Sequence, residues 1–511
     1  MMRFFDPDDI RNADKIAIEN MGIPGILLME NAGKNCAGII LDSYSARSVT
    51  VLAGPGNNGG DGFVLARNLL IHGIDVKVIT SRPLSAYSGE PAINLDILQK
   101  MGTTLYESVA LSDTRITEII DSGDICVDAL LGTGSSGRPR GECARMISLL
   151  PDSTRVVSID LPSGIDPSDG RVFSPCVKAG RTITMLAAKT GLATMPGAMY
   201  AGDIEVVDIG IPPEQLLNVP ERIMSIDEDM VRSFIPERDF DIHKGQRGCV
   251  TAIGSSPEYR GAIALTALAS LKSGSGLVFT ISSKEAQQLI SHFLPEVITM
   301  GCSFQGHADT AEICNKIDML ARRTNGFVIG PGLGRSSLSA RLLDHLWNNL
   351  EGIPAVVDAD ALFHLSVPGN SYNRRANVVL TPHEGEAARL LNCDIESVRS
   401  NRLECARKLA QKWGVVVLKG PRTLVDDGYR TAVVLEGSPS LAIPGSGDIL
   451  SGIIASFLAS GTDPFDSACA ASWIHARIGQ VLAVESGIDG ILARDIAYMV
   501  PSLLQEIRST I

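Results

Sequence analysis

The most restrictive feature of this chain is a glycine turn that opens a helical segment, found in both halves although the two motifs differ. The β-branched run Ser48–Ala53 (SVTVLA) leads at once into GPGNNGGDGFVLARNLL, and Ile443–Gly452 (IPGSGDILSG) runs into IIASFLASG. Strands that share a direction need a crossover between them, usually a helix, so the strand–helix alternation around both turns predicts α/β architecture with largely parallel sheets. At 511 residues the chain exceeds one ordinary core, which predicts two domains. Prolines and charges replace regular periodicity from Gly210 to Arg238, so the expected domains are 1–219 and 220–511.

Charge and cysteine usage exclude several classes. A net charge of −13 argues against nucleic acid as the main partner, although a local nest of N–H groups can still hold a nucleotide. The ten cysteines include no C-x-x-C pair and the eight histidines are equally scattered, so no zinc framework is visible. Reduced thiols in a cytoplasm are expected. MMRFFDPDDI lacks the apolar region of a signal peptide, and every long apolar stretch is interrupted, so neither export nor a membrane span is expected.

In Ile443–Gly452 the glycines Gly445, Gly447 and Gly452 bracket one carboxylate, Asp448. The unpaired N–H groups of a helix start suit an anion. An aspartate in the same turn repels phosphate, and makes sense if it takes a proton from a hydroxyl that attacks or accepts a phosphoryl group. The plainer alternative, a helix-capping aspartate, stays open on this motif alone.

In the first half, Asp6-Pro7 reads as an N-cap and first helical position, starting a helix toward Glu19, and Ile26–Leu41 continues at helical spacing. Ile74–Thr80, Asp124–Leu131, Arg155–Asp160 and Asp203–Ile209 read as strands. Asp128 leads into GTGSSGRPRG and Asp160 into LPSGID, which places carboxylates and glycines at strand ends, where open α/β sheets bind ligands. The turn after Ala53 carries Asn57, Asn58 and Asp61, whose oxygens suit a cation or ribose hydroxyls, or else supply left-handed turn conformations.

PGNNGGDG, VDALLGTG and SIDLPSGID, in that order, resemble the NAD(P)HX epimerase family, which implies a Rossmann-like fold over the first two-fifths of the chain. The resemblance implies that Asn57, Asn58, Gly59, Gly60 and Asp61 contact the hydrated dinucleotide, together with Gly132, Thr133, Gly134, Ser135, Ser136, Gly137, Arg138 and Asp160. It also implies a potassium ion near Asn58, Asp128 and Ser163, and a catalytic role for Asp160 and for Lys189 in LAAKTGL.

Strand–helix alternation continues in the second half, with a helix expected from about Gly261 to Lys272. Five loops follow in the order GPGLG, DADAL, TPHEGE, KGPRT and PGSGD. That order resembles the ADP-dependent NAD(P)HX dehydratase family, a branch of the ribokinase-like fold. By resemblance, Ala262, Gly332 and His383 contact the hydrated dinucleotide, with Asp448 at the reacting hydroxyl. Lys419, Gly420, Pro421, Arg422, Thr423 and Gly447 bind the adenine nucleotide. Fused members of this kind are bifunctional repair enzymes, so ADP is the expected co-substrate, with Mg2+ on its phosphates. A homo-oligomer is also expected. Two rivals remain: a kinase that stops at a phosphorylated product, and a first domain that binds without catalysis.

Overall fold

The computed structural model describes the chain except residues 152–154, 213–221, 239, 305–306, 370–371 and 510–511. Contacts divide it into Met2–Ile223 and Met224–Ile511, the latter with Met1. The expected break between 219 and 220 lies outside the described residues.

The first unit begins with β1 (Arg3–Phe5). Its main sheet contains β2 (Ser48–Ala53), β3 (Asp75–Thr80), β4 (Thr104–Glu107), β5 (Ile125–Ala129), β6 (Val156–Ile159) and β7 (Arg181–Met185). After β8 (Ala188–Lys189), β9 (Asp203–Val207) completes it. The order is β4-β3-β2-β5-β6-β7-β9 and every pairing is parallel. The chain therefore reverses its direction of travel between β2 and β5, the switch point at which a doubly wound sheet leaves a crevice. This is the Rossmann-like arrangement. β1 pairs with β8 in parallel, setting Phe5 opposite Lys189. The NNGGDG stretch is not a loop: the helix Asn57–Ile71 starts at its first asparagine, leaving only Gly54–Gly56 as the turn. Position 59 of this helix has to be glycine, because the Gly54 carbonyl lies 2.1 Å from where a Cβ would stand.

The second unit opens with β10 (Ile223–Ile226) and the helix Glu228–Phe234. Regular structure here was not expected from the proline-rich composition; four residues of IMSI suffice because β19 supplies a parallel partner. The strands continue as β11 (Cys249–Ile253), β12 (Leu277–Ser283), β13 (Ile298–Cys302), β14 (Gly326–Ile329), β15 (Ala355–Val357), β16 (Val378–Leu380), β17 (Val415–Leu418), β18 (Leu424–Asp426) and β19 (Thr431–Val434). Their order is β13-β12-β11-β14-β15-β16-β17-β18-β19-β10, with the switch between β11 and β14. Pairing is parallel except around β18, which is antiparallel to both neighbours. The loops after β14, β15, β16 and β17 carry four of the expected motifs.

The helix Ser446–Ala459 has no polar face beyond its first turn, so it can only be buried. It packs on the helix Ala262–Lys272 at Gly452, where a Cβ would meet the Thr266 carbonyl at 2.3 Å and the Ala269 Cβ at 2.7 Å.

Candidate active sites

At the switch point of the first unit lies a cavity of about 490 Å³. Its lining includes Asn57, Asn58, Asp61, Gly132, Thr133, Gly134, Ser135, Asp160 and Lys189, all expected from the sequence. Asp160 follows β6 with a positive φ of 68°, a conformation disfavoured for a residue with a side chain and sustained only where the surroundings hold it. They do hold it. Its Oδ1 lies 2.6 Å from Lys189 Nζ, and its Oδ2 accepts from Thr133 N at 2.6 Å and Thr133 Oγ1 at 2.8 Å. Burial pushes the Asp160 carboxyl up, but Lys189 and Thr133 outweigh it and hold it below the usual carboxylate range. Gly132 is required by the same contact, since a Cβ would fall 2.5 Å from Asp160 Oδ2.

Lys189 is only 1% exposed, which rejects a surface role. Its ammonium also donates to Thr184 Oγ1 at 2.9 Å and the Met185 carbonyl at 3.0 Å. Asp128 is wholly buried and its oxygens accept from Leu130 N, Ser158 Oγ, and both N and Oγ of Ser163. Asn58 donates to the carbonyls of Leu131 and Ile159, while its Oδ1 is buried without a partner. The Leu131 carbonyl lies 3.4 Å from Ser163 Oγ. An orphaned amide oxygen beside a carbonyl, a hydroxyl and one carboxylate is an all-oxygen donor set that fits a large monovalent cation.

Other expected residues lie apart from the cavity lining. Gly60 packs on Met29, and Arg138 donates through Nε to the Ser174 carbonyl at 2.6 Å. Ser136 and Gly137 precede it in the same loop.

In the second unit a second lysine–aspartate pair forms between strand ends. Lys419, after β17, places Nζ 3.0 Å from Oδ1 of Asp358, after β15. Ser451 Oγ donates to Asp358 Oδ2 at 2.7 Å. Burial pushes Asp358 up, yet Lys419 and Ser451 hold it below its ordinary value. Asp448 stands in the first turn of Ser446–Ala459, whose N-cap is Gly445 at φ 87° with no side-chain cap. The capping alternative for Asp448 is thus rejected. Burial and then the nearby Asp358 charge push its carboxyl to about 7, with Lys419 opposing. Gly447 passes so close to the pair that a Cβ would lie 3.3 Å from Lys419 Nζ.

Ala262 and Gly332 do come together: a Cβ on Gly332 would be 3.2 Å from that of Ala262. His383 is the N-cap of the helix Glu384–Leu391, its Nδ1 accepting from the N–H groups of Gly385 and Glu386. Nε2 is thereby the protonated nitrogen of an exposed ring. In KGPRT, Thr423 Oγ1 donates to the Gly420 carbonyl at 2.8 Å and Arg422 to the Leu435 carbonyl at 3.1 Å, with Pro421 between. The buried Arg402 braces this loop from below, bonding Glu384 at 2.6 Å and the Leu418 carbonyl at 3.2 Å.

Sequence reasoning missed Asp14, Glu386 and Ser451. Glu386 closes the His383 capping box, donating nothing and accepting from His383 N at 2.8 Å; burial pushes its carboxyl up. The Ser/Thr-x-x-Glu signature in TPHEGE points instead to Thr381 and Glu384, so the His383–Glu386 box was not legible from that pattern. Asp14 lines the first cavity from the helix Pro7–Glu19, where nothing in its local pattern marks it. Burial lowers Lys419, but the charges of Asp358, Glu386 and Asp448 raise it against that burial, and among the described residues no three carboxylate, histidine or cysteine groups come together as a metal site.

Comparison with known proteins gives a consistent result. Residues 250–502 match the family model described as NAD(P)H-hydrate dehydratase, and residues 26–191 match that of the YjeF-related protein N-terminus. The bifunctional NAD(P)H-hydrate repair enzyme of Thermanaerovibrio acidaminovorans is 36% identical over 506 residues, covering 98% of each chain. That of Moorella thermoacetica is 36% identical over 511 residues, covering 98% of this chain and 96% of that one. A ribokinase-like superfamily protein from Enterococcus faecalis V583 aligns with a TM-score of 0.50 at 27% identity, covering 56% of this chain and 96% of that chain.

Proposed function

The chain belongs to the bifunctional NAD(P)H-hydrate repair enzyme family, and from that premise we propose how its two sites divide the work. It is an enzyme that interconverts the R and S forms of hydrated NAD(P)H and dehydrates the S form. We assign epimerisation to residues 1–219 and dehydration to 220–511.

In the dehydratase, hydroxide is too poor a leaving group for direct loss of water. The hydroxyl is first phosphorylated by ADP, and the ring nitrogen then expels phosphate, leaving NAD(P)H, AMP and phosphate. Asp448 takes the hydroxyl proton, a role to which a carboxyl near pH 7 is matched. Lys419 and the N–H groups of Gly445 and Gly447 neutralise charge on the transferring phosphoryl, the Ser446 N–H being taken by the Ile443 carbonyl. The KGPRT loop, Lys419–Thr423, holds the nucleotide, while Ala262, Gly332 and the His383 Nε2–H face the dinucleotide. Magnesium, when bound, supplies charge neutralisation on the phosphates.

In the epimerase, Asn57–Asp61 and Gly132–Arg138 receive the dinucleotide, with Asp160 and Lys189 at the reacting ring. Potassium held by Asn58, Asp128 and Ser163 would tie the first turn of the helix after β2 to the end of β5 and the loop after β6. Among the described residues no helix is long and apolar enough to cross a membrane, and no disulfide joins any of the ten cysteines. The thiols support a reducing, cytoplasmic setting.

The observation that carries the reading is the Lys419–Asp358 pair set beside Asp448 at a helix start. The experiment is to incubate the protein with mixed epimers of hydrated NADH and each adenine nucleotide. Recovered reduced-nicotinamide absorbance with free phosphate supports it, whereas a stable phosphoester favours the kinase rival.

A further inference from the structure

Asp14 shares the first cavity with Asp160 but not its partners. Asp160 is bound on both oxygens by Lys189 and Thr133, whereas Asp14 Oδ1 is buried and accepts no hydrogen bond. A buried polar oxygen left without a donor is costly unless a ligand supplies one. The hydrated dinucleotide carries such a donor, the hydroxyl on the ring carbon beside the nitrogen. We propose that Asp14 is the proton-transfer residue of epimer interconversion, acting on the oxygen of that hydrated carbon. This rests on the epimerase reading above.

The step balances without any further reactant. The Asp14 carboxyl gives its proton to the ring hydroxyl, the carbon–oxygen bond breaks, and water leaves as the nitrogen lone pair forms a carbon–nitrogen double bond. The planar ring turns about its glycosidic bond, water adds to the other face, and the surplus proton returns to the Asp14 carboxylate. Asp160, held below the usual carboxylate range, supplies negative charge beside the transient cation. Asp14 feels Lys189, Asp160 and Asp61, and Arg11 and Glu90 line the same cavity. Burial, aided by Asp160 and opposed by Lys189, brings its carboxyl to about 6, so both protonation states are accessible near neutrality. Burial pushes the Asp61 carboxyl well above its ordinary value, with the Asp160 and Asp14 charges adding to the effect.

The test uses the full chain, purified R epimer and no nucleotide, which blocks dehydration; appearance of the S epimer is followed chromatographically. Exchange by the wild type is the condition for the epimerase reading, and its absence overturns that reading and this inference together. With wild-type exchange in hand, Asp14→Asn is expected to lower kcat by about two to four orders of magnitude with KM within about threefold. Asp14→Glu, which keeps the acid, is expected to recover part of the loss. Wild-type kcat in Asp14→Asn, or a raised KM alone, overturns the proposal. Should that variant not fold, the wild-type profile decides. A kcat that falls as pH rises through about 6 supports Asp14 as the acid, and a flat profile from about pH 5 to 8 overturns it.

Discussion

Each unit sets a strand-end lysine against an aspartate, Lys189 with Asp160 and Lys419 with Asp358, and each keeps another carboxyl beside the pair. Asp14 is brought to about 6 and Asp448 to about 7, in both cases chiefly by burial. The paired aspartates are held below their ordinary values while the neighbouring carboxyls are raised. What differs is the backbone around the neighbour. Asp448 stands in the first turn of a helix beneath Gly445–Gly447, so unpaired N–H groups accompany it; Asp14 stands in the body of Pro7–Glu19, where such groups are spent within the helix. On the proposed reading, one setting serves proton removal next to an anion and the other serves proton exchange on a neutral hydroxyl. The same electrostatic device thus acquires its chemistry from where its helix begins.

The comparison breaks most visibly if Asp448 is dispensable. Asp448→Asn is expected to lower dehydration by about two to four orders of magnitude while leaving epimer exchange intact, as read by absorbance recovery and by epimer ratio. A near wild-type rate would return the two sites to unrelated chemistry. Lys419→Ala should come next, raising nucleotide KM by about 10- to 100-fold, the scale of a lost charge-assisted bond, with little change in dinucleotide KM. An equal rise in both would mean that the Lys419–Asp358 pair is structural.

Because the Asp448 carboxylate is the active form, kcat for dehydration should fall about tenfold for each pH unit below about 7, whereas exchange should fall in the opposite direction above about 6. Parallel profiles would erase the distinction. A smaller effect is expected on changing potassium for a bulky organic cation: a several-fold slowing of exchange, with Asn58→Ala losing the dependence. The smallest concerns stability. With its native pKa above the unfolded value, Asp448 retains a proton in the fold that the unfolded chain releases, so its contribution fades as pH rises from about 4 through about 7. Asp448→Asn should therefore melt a few degrees higher than wild type at about pH 8 and show little gain at acid pH.

The turns that carry these sites were legible because their chemistry is written locally. PGSGD puts the glycines and the carboxylate within one helical turn, and VDALLGTG and SIDLPSGID each end a strand. The strand positions followed for the same reason, within a residue or two for β3, β5, β6 and β9. What stayed hidden depends on contacts between distant positions. Asp358 and Lys419 stand 61 residues apart, and Ser451 reaches Asp358 across 93. Asp14 lies in an amphipathic helix whose pattern accounts for every residue without it. The antiparallel β18 was also invisible, since a three-residue strand carries no signal for the direction of its partner. Asn57–Asp61 misled in the other direction, because glycines and asparagines that look like a turn are tolerated in a helix where another backbone must pass.

Gly452 sets a ruler. The helix that carries Asp448 and the helix that begins at Ala262 are spaced by a hydrogen atom, with the Thr266 carbonyl occupying the volume of the missing methyl group. On the proposed reading one helix presents the proton acceptor and the other begins beside the dinucleotide, so that spacing sets how wide a ring can sit between them. A Gly452→Ala chain that folds would open the gauge by roughly the breadth of a methyl, and the enzyme would then be sorting its substrates by a different size.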